Sequence, residues 1–334
     1  MELVYIPKEV NESCKLERLG IKMRYIGDLR EGDMVSETYL CKTKQTLTTK
    51  AGKNYYSLLL QDKTGTLDAK VWDCAGIDYF DALDYIRVDG QLINFQGALQ
   101  LNIKRVRRSS EGEYDPKDFV PTTNKNIEEM YKDILKYIDN IKEPHLKKLA
   151  ESFFVQDKSF ASRFKMHSAA KSVHHGFAGG LLEHTLGVVK LCDYYADNYP
   201  VINRDLLLTA AMFHDIGKIE ELSAFPENDY TDEGQLLGHI YIGAEMIGAR
   251  IRTIPNFPVV LSSQLRHCIL SHHGELEYGS PKKPAIIEAF ALNFADNTDA
   301  KLQTMTEILG GGDEKSTWLG FNRLFETNIR RTTI

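Results

Sequence analysis

The string MFHDIGK, Met212–Lys218, constrains this chain more than any other stretch. It sets a histidine and an aspartate side by side at the end of DLLLTAAMF, a helical run that is apolar nearly all round and so belongs at the centre of a bundle. Adjacent residues on a helix point about 100° apart, so His214 and Asp215 can share one ion only at the helix end. Gly217 then breaks the helix and lets the chain turn sharply. Other residues of the same chemistry stand at intervals along helical segments. His184 lies on the apolar stripe of 179–198 with Leu181 and Val188, and His239 follows Gly238. His272 and His273 precede Gly274, and Asp296 sits inside the otherwise apolar AIIEAFALNFADNTDA. Each has an ordinary reading alone: a core histidine bonded to a carbonyl, a helix–helix salt bridge, a solvated lysine for Lys218. Imidazole and carboxylate are, however, the ligand types that divalent transition metals take, and a buried one without a partner is costly. Five of the ten histidines fall in this set, and jointly they point to a metal centre.

A chain of 334 residues has room for two domains. Its hydrophobic fraction of 43% and charged fraction of 26% are those of a soluble globular protein. A net charge of −6 gives no overall attraction to nucleic acid, so any such role needs a local basic patch or bound cations. The five cysteines are scattered and form no CxxC pair, which reads as reduced thiols in a cytoplasmic protein. The opening residues lack the pattern of a secretory signal, and no apolar run reaches the ~18 residues of a membrane span.

Two periodicities divide the chain. Alternating, β-branched and aromatic segments at 34–44, 54–61, 65–73, 85–94 and 97–107 predict five strands, with a longer connection between the third and fourth. That spacing fits a small Greek-key barrel of the OB type, with a short helix expected at 76–84; a five-stranded barrel without a ligand fits as well. Residues 109–126 are polar, carry two prolines and predict a linker. From Ile127 the period is helical, with helices expected at 127–141, 144–155, 158–165, 179–198, 203–215, 234–251, 258–273, 284–309 and 316–329. The expected fold is multidomain α and β: an OB-type barrel within 1–108, the linker 109–126, and an all-α helical bundle over 127–334.

The pattern His … His-Asp … Asp on helices resembles the HD superfamily of metal-dependent phosphohydrolases. The resemblance implies a first metal on His184, His214, Asp215 and Asp296, with Asp215 bridging to a second completed by His239, His272 and His273. Whether His272, His273 or both bind is left open. Metal-activated water would attack a phosphate ester, with Asp215 and Lys218 as the catalytic residues, Lys218 matching the HDxGK motif.

The barrel narrows the substrate. Tyr56 and Trp72 are candidates for base stacking, although alternation sends Tyr55 and Tyr56 to opposite faces and Trp72 fits the core equally well. KRVRR, with Lys104, Arg105 and Arg107, is a local basic run. Barrel, linker and bundle in this order, with HHGFAGGLLEHTLGVV, AAMFHDIGKIEEL, GQLLGHIYIGAEMI and LRHCILSHHGELEYGSP, resemble the YhaM family of 3′–5′ exoribonucleases over nearly the whole chain. That resemblance implies cytoplasmic trimming of single-stranded RNA, or of single-stranded DNA, with release of nucleoside monophosphates. It also implies two divalent ions, manganese first and iron, cobalt or magnesium as alternatives. A homo-oligomer is expected. His174, His175 and Arg266 are candidate substrate contacts. Two other readings stand beside this one: a hydrolase of small or cyclic nucleotides whose barrel serves assembly, and a nucleic-acid-binding module with a vestigial metal site. The complete ligand set argues against the last.

Overall fold

The computed structural model describes residues 23–74, 76–171, 175–310 and 316–332. It divides into two compact units, Met1–Pro121 and Thr122–Ile334.

The first unit is a closed five-stranded barrel: β1 (Met34–Thr48), β2 (Asn54–Asp62), β3 (Gly65–Val71), β4 (Tyr85–Phe95) and β5 (Ala98–Arg108). The order is β1-β2-β3-β5-β4, with β4 returning to β1. Only β3 and β5 among these neighbours run parallel. Closure leaves no free sheet edge, and it buries one face of each strand. In β4 the buried residues are Ile86, Val88, Gly90 and Leu92, a strict period of two. The barrel is thus the OB-like architecture expected. The connection 76–84 carries no helix, contrary to expectation. Phe80 is instead buried in the barrel core, edge-on to Tyr56, and Asp84 accepts from the Asp81 amide in a turn. Filling that end of the barrel with one aromatic ring leaves no role for a helical face.

Much of the polar stretch 109–126 is ordered. Asp115 caps a 3₁₀ turn at Pro116–Asp118, Phe119 is buried, and its carbonyl accepts from Gln61 Nε2 at 3.0 Å. The unit boundary falls after Pro121.

The second unit is built from α1 (Ile127–Asp139), α2 (Pro144–Phe154), α3 (Lys158–Met166), α4 (Gly180–Asn198), α5 (Arg204–Phe213), α6 (Lys218–Glu221), α7 (Asp232–Ile251), α8 (Val259–Ser271) and α9 (Ile287–Gly310). Side-chain caps start several of them, including Asn126 for α1, Asp157 for α3 and Asn203 for α5. Every residue of α5 from Leu206 to Phe213 is buried, as an all-round apolar helix requires. It packs between α4, α8 and α9. Phe153, Phe154, Phe160, Phe164 and Phe213 interlock beneath it.

The helix expected at 316–329 is instead a hairpin, β6 (Trp318–Asn322) and β7 (Thr327–Arg330). Asn322 Oδ1 accepts from the amides of Leu324 and Phe325, which closes the turn, and Glu326 leaves it with a φ of 50°. An asparagine that bonds its own downstream backbone competes with the helix, and Thr327 and Ile329 favour a strand.

Phe154→Ala, which empties the centre of the aromatic cluster, is expected to cost about 3–5 kcal/mol in denaturant unfolding of the full chain. A loss below about 1 kcal/mol would mean that this cluster is not the bundle's core.

Candidate metal centre

Three local devices bring the ligand-type residues together. The first is the end of α5, where His214 caps the helix after Phe213 and the buried Asp215 follows. This turn lies directly on α7: a Cβ on Gly217 would stand 2.0 Å from the His239 carbonyl oxygen. The second is a break in α7 at Gly238, whose φ of 72° and ψ of 153° are unavailable to most residues, so that His239 starts a fresh turn facing α5. The third is the end of α8, where His272 and His273 repeat the arrangement of 214 and 215. His184 comes from the buried side of α4 and Asp296 from α9.

The outer ring nitrogens fix the tautomers. His214 Nδ1 donates to the Ala211 carbonyl at 2.8 Å, His272 Nδ1 to that of Ile269 at 2.7 Å, and His273 Nδ1 to that of Tyr278 at 2.7 Å. A carbonyl only accepts, so each Nδ1 carries the proton. His184 Nδ1 donates to Asp299 at 2.7 Å and His239 Nδ1 to Glu221 at 2.9 Å. All five imidazoles therefore turn Nε2 inward, the atom that a cation would meet.

Asp215 stands between two groups of these nitrogens. Its Oδ2 lies 3.4 Å from His184 Nε2, 3.4 Å from His214 Nε2 and 2.7 Å from Lys218 Nζ. Its Oδ1 lies 3.5 Å from His239 Nε2 and 3.7 Å from His272 Nε2. Asp296 Oδ1 joins the first group, 3.2 Å from His184. Three sets could hold an ion: His184–His214–Asp296 and His239–His272–His273, one on each side of Asp215, and His175–His184–Asp299, which shares His184 with the first. Asp215 Oδ1, His239 Nε2 and His272 Nε2 are buried and have no hydrogen-bond partner. Orphaned buried acceptors are rare and costly; here a cation would satisfy all of them at once, so the residues fit a divalent metal.

The electrostatics agree. Burial resists charging His184, yet Asp215, Asp296 and Asp299 outweigh it and raise its pKa well above the usual imidazole value. Its Nε2 lies 3.1 Å from that of His214, a separation at which two bare lone pairs need a proton or a cation between them. Burial, reinforced by His273 and His214, keeps His272 neutral by pulling its pKa well down. Burial disfavours the Asp215 carboxylate, but Lys218 and His214 hold its pKa well below the usual range. Burial likewise opposes the charge on Lys218, and Asp215 more than restores it, so this lysine stays a cation. A cavity of about 400 Å³ opens onto His184, Asp215, Lys218, His273 and Asp296, and Asn297 and Lys301 of α9 also line it.

The other candidates fall elsewhere. His175 is buried with Nε2 3.1 Å from Asp299 Oδ2, and it does not line this cavity. Arg266 is exposed beside Gly248 of α7 and is also absent from the cavity wall, because the side of α8 that carries it turns towards α7. His174 lies outside the described residues. In the barrel unit Tyr56 packs inward against Phe80, beneath the Lys44 ammonium, and it is Tyr55 that stacks on Trp72 at 4.8 Å. Trp72 is 47% exposed and donates to Asn102 Oδ1 at 3.1 Å. A bulge between β4 and β5 leaves Lys104 and Arg105 both exposed, whereas Arg107 is engaged by Glu113 at 2.8 and 2.9 Å. Two functional acids were missed in the sequence, Glu221 and Asp299. Asp299 follows Asp296 by three residues and so shares its helix face, the one signal available.

A helical domain with this His-Asp constellation, in one chain with an OB-like barrel, defines an HD-type phosphohydrolase that depends on divalent metal. The family model of the HD domain matches residues 181–301. The 3′–5′ exoribonuclease YhaM of Bacillus velezensis is 35% identical over 283 residues, covering 83% of this chain and 88% of its own length. That of Listeria innocua is 36% identical over 287 residues, covering 84% and 90%. The chain belongs to the YhaM family of 3′–5′ exoribonucleases. Among solved structures, the second OB-fold domain of replication protein A from Methanococcus maripaludis covers 27% of this chain and 97% of its own, at 17% identity and a TM-score of 0.23.

Ion affinity should rise with pH. The raised pKa of His184 means that its proton stabilises the ion-free fold fully below the ordinary value of 6.5 and less as pH climbs through the raised one. A cation must displace that proton, so affinity should increase about tenfold per pH unit until His184 is neutral. Calorimetry in buffers of different ionisation enthalpy measures both affinity and proton release; a flat profile with no proton released would contradict the assignment.

Proposed function

We propose that this chain is a metal-dependent 3′–5′ exoribonuclease that removes nucleoside monophosphates from single-stranded RNA in the cytoplasm, with one divalent ion on each side of Asp215. The observation that carries this reading is the division of Asp215, with Oδ2 facing one donor set and Oδ1 the other. His184, His214, Asp296 and Asp215 Oδ2 would hold the first ion; His239, His272, His273 and Asp215 Oδ1 the second. Five imidazoles suit manganese or another first-row transition ion better than magnesium.

Two such ions would supply water activation and charge neutralisation at the phosphoryl group. The chain's own groups do the rest. Lys218 is held at 2.7 Å by Asp215 and faces the cavity, where a fixed cation offsets the charge that builds on the phosphoryl group. Lys301 supplies a second positive charge on the same wall, and Asn297 an amide. In the barrel, exposed Trp72, stacked on half-buried Tyr55, offers a π-face to bases of any sequence, with Lys104 and Arg105 as cations for the backbone.

A 5′-labelled oligoribonucleotide incubated with manganese should give a ladder that shortens from the 3′ end. Asp215→Ala should abolish the ladder while retaining RNA binding. Hydrolysis of mononucleotides alone would favour a small-nucleotide hydrolase, and binding without cleavage a vestigial site.

Trp72→Ala should weaken binding of long single strands by about 1–3 kcal/mol and leave turnover of a dinucleotide unchanged. Equal losses on both substrates would remove the barrel from substrate binding.

A further inference from the structure

We infer that Asp299 and Glu221 are the positioning residues of the two donor sets, one for each ion, and that His175 acts on the first set through Asp299. This rests on the two-ion reading above.

Of the five inward imidazoles, three are anchored by neutral backbone carbonyls. The remaining two are anchored by carboxylates, and they belong to different sets: His184 by Asp299 and His239 by Glu221. An ionised acceptor on Nδ1 makes Nε2 a stronger donor to a metal and locks the ring's orientation. Each set thus contains one polarised imidazole. The two acids reach them from separate elements, Asp299 from α9 and Glu221 from α6.

Both acids are themselves fixed. Asp299 Oδ2 receives His184 Nδ1 at 2.7 Å and His175 Nε2 at 3.1 Å. Its Oδ1 occupies the place that a side chain at Gly187 would fill, where a Cβ would stand 2.1 Å away. His175 is in turn held by its carbonyl, which accepts from the Ala169 amide at 3.0 Å and lies against Gly180 with no room for a Cβ. Glu221 Oε1 takes both the His239 amide and its Nδ1, each at 2.9 Å, at the break in α7. One acid therefore sets backbone and ring together.

The test uses full-length protein and manganese titrations by calorimetry, with bound ions counted by elemental analysis. Asp296→Ala leaves only the second donor set intact, and His239→Ala only the first. In the His239→Ala background, Asp299→Asn should weaken the remaining ion about 10–100-fold. In the Asp296→Ala background it should change nothing. Glu221→Gln should weaken the ion left by Asp296→Ala by a similar factor. Gly187→Ala, which displaces the Asp299 carboxylate without touching it chemically, should reproduce Asp299→Asn. His175→Ala should do so more weakly. Melting of the metal-free variants separates misfolding from lost affinity. Equal losses in both backgrounds, or none in the matching one, would overturn the inference while two ions still bind to the unaltered chain. Uptake of a single ion by the unaltered chain would instead overturn the two-ion reading and the pairing with it.

Discussion

The structure depends on burying the charge of Asp215. Taking a carboxylate out of water costs several kcal/mol even after the protein relaxes, and this one is 2% exposed. Lys218 alone repays only part, because its own burial must also be offset. The imidazoles close the account only if something positive lies among them, since the lone pairs of His239 and His272 and Asp215 Oδ1 otherwise face one another unsatisfied. The site is thus electrostatically incomplete by design, and a divalent cation is the simplest species that completes it. This is why neutral His272 and charged Asp215 coexist within 3.7 Å.

The adjacent donors, His214 with Asp215 and His272 with His273, can converge only where helices stop. Inside a helix, adjacent side chains diverge too far to face one point, and the backbone cannot help. At a C-terminus the last carbonyls are unpaired, and His214 and His272 each use one, three residues back, to fix the ring. One hydrogen bond then finishes the helix, sets the tautomer and aims Nε2 inward. The break at Gly238 does for His239 what the helix ends do for the others, with Glu221 in place of a carbonyl.

The same logic explains what was legible in the sequence. The barrel strands and the bundle helices carry their burial in local periodicity, so β4 and α5 could be read directly. The donor residues were legible because histidine and aspartate are out of place on apolar faces. Asp299 and Glu221 were not, because an acid on a helix normally means solvent, and only the fold reveals that Gly187 makes room for Asp299 and that the break at Gly238 sets His239 on Glu221. His175 was identified as part of the site but not in its position, since a loop histidine carries no sign of which way it turns. The hairpin at the C-terminal end failed for a different reason. Its apolar spacing suits a helix, and the decision rests on one asparagine bonding its own turn.

The two donor sets are unequal, and the inequality has consequences. The first combines His184 and His214 with two carboxylate oxygens, from Asp215 and Asp296; the second combines three imidazoles with a single oxygen. A cation gains more from charge in the first and more from softer nitrogen in the second. The anchors do not follow that division: each set has one imidazole backed by a carboxylate, His184 by Asp299 and His239 by Glu221, while the other rings lean on carbonyls. The cavity reaches both sets, touching His184 and Asp296 of the first and His273 of the second with Asp215 between them, so a ligand within it would stand beside both positions.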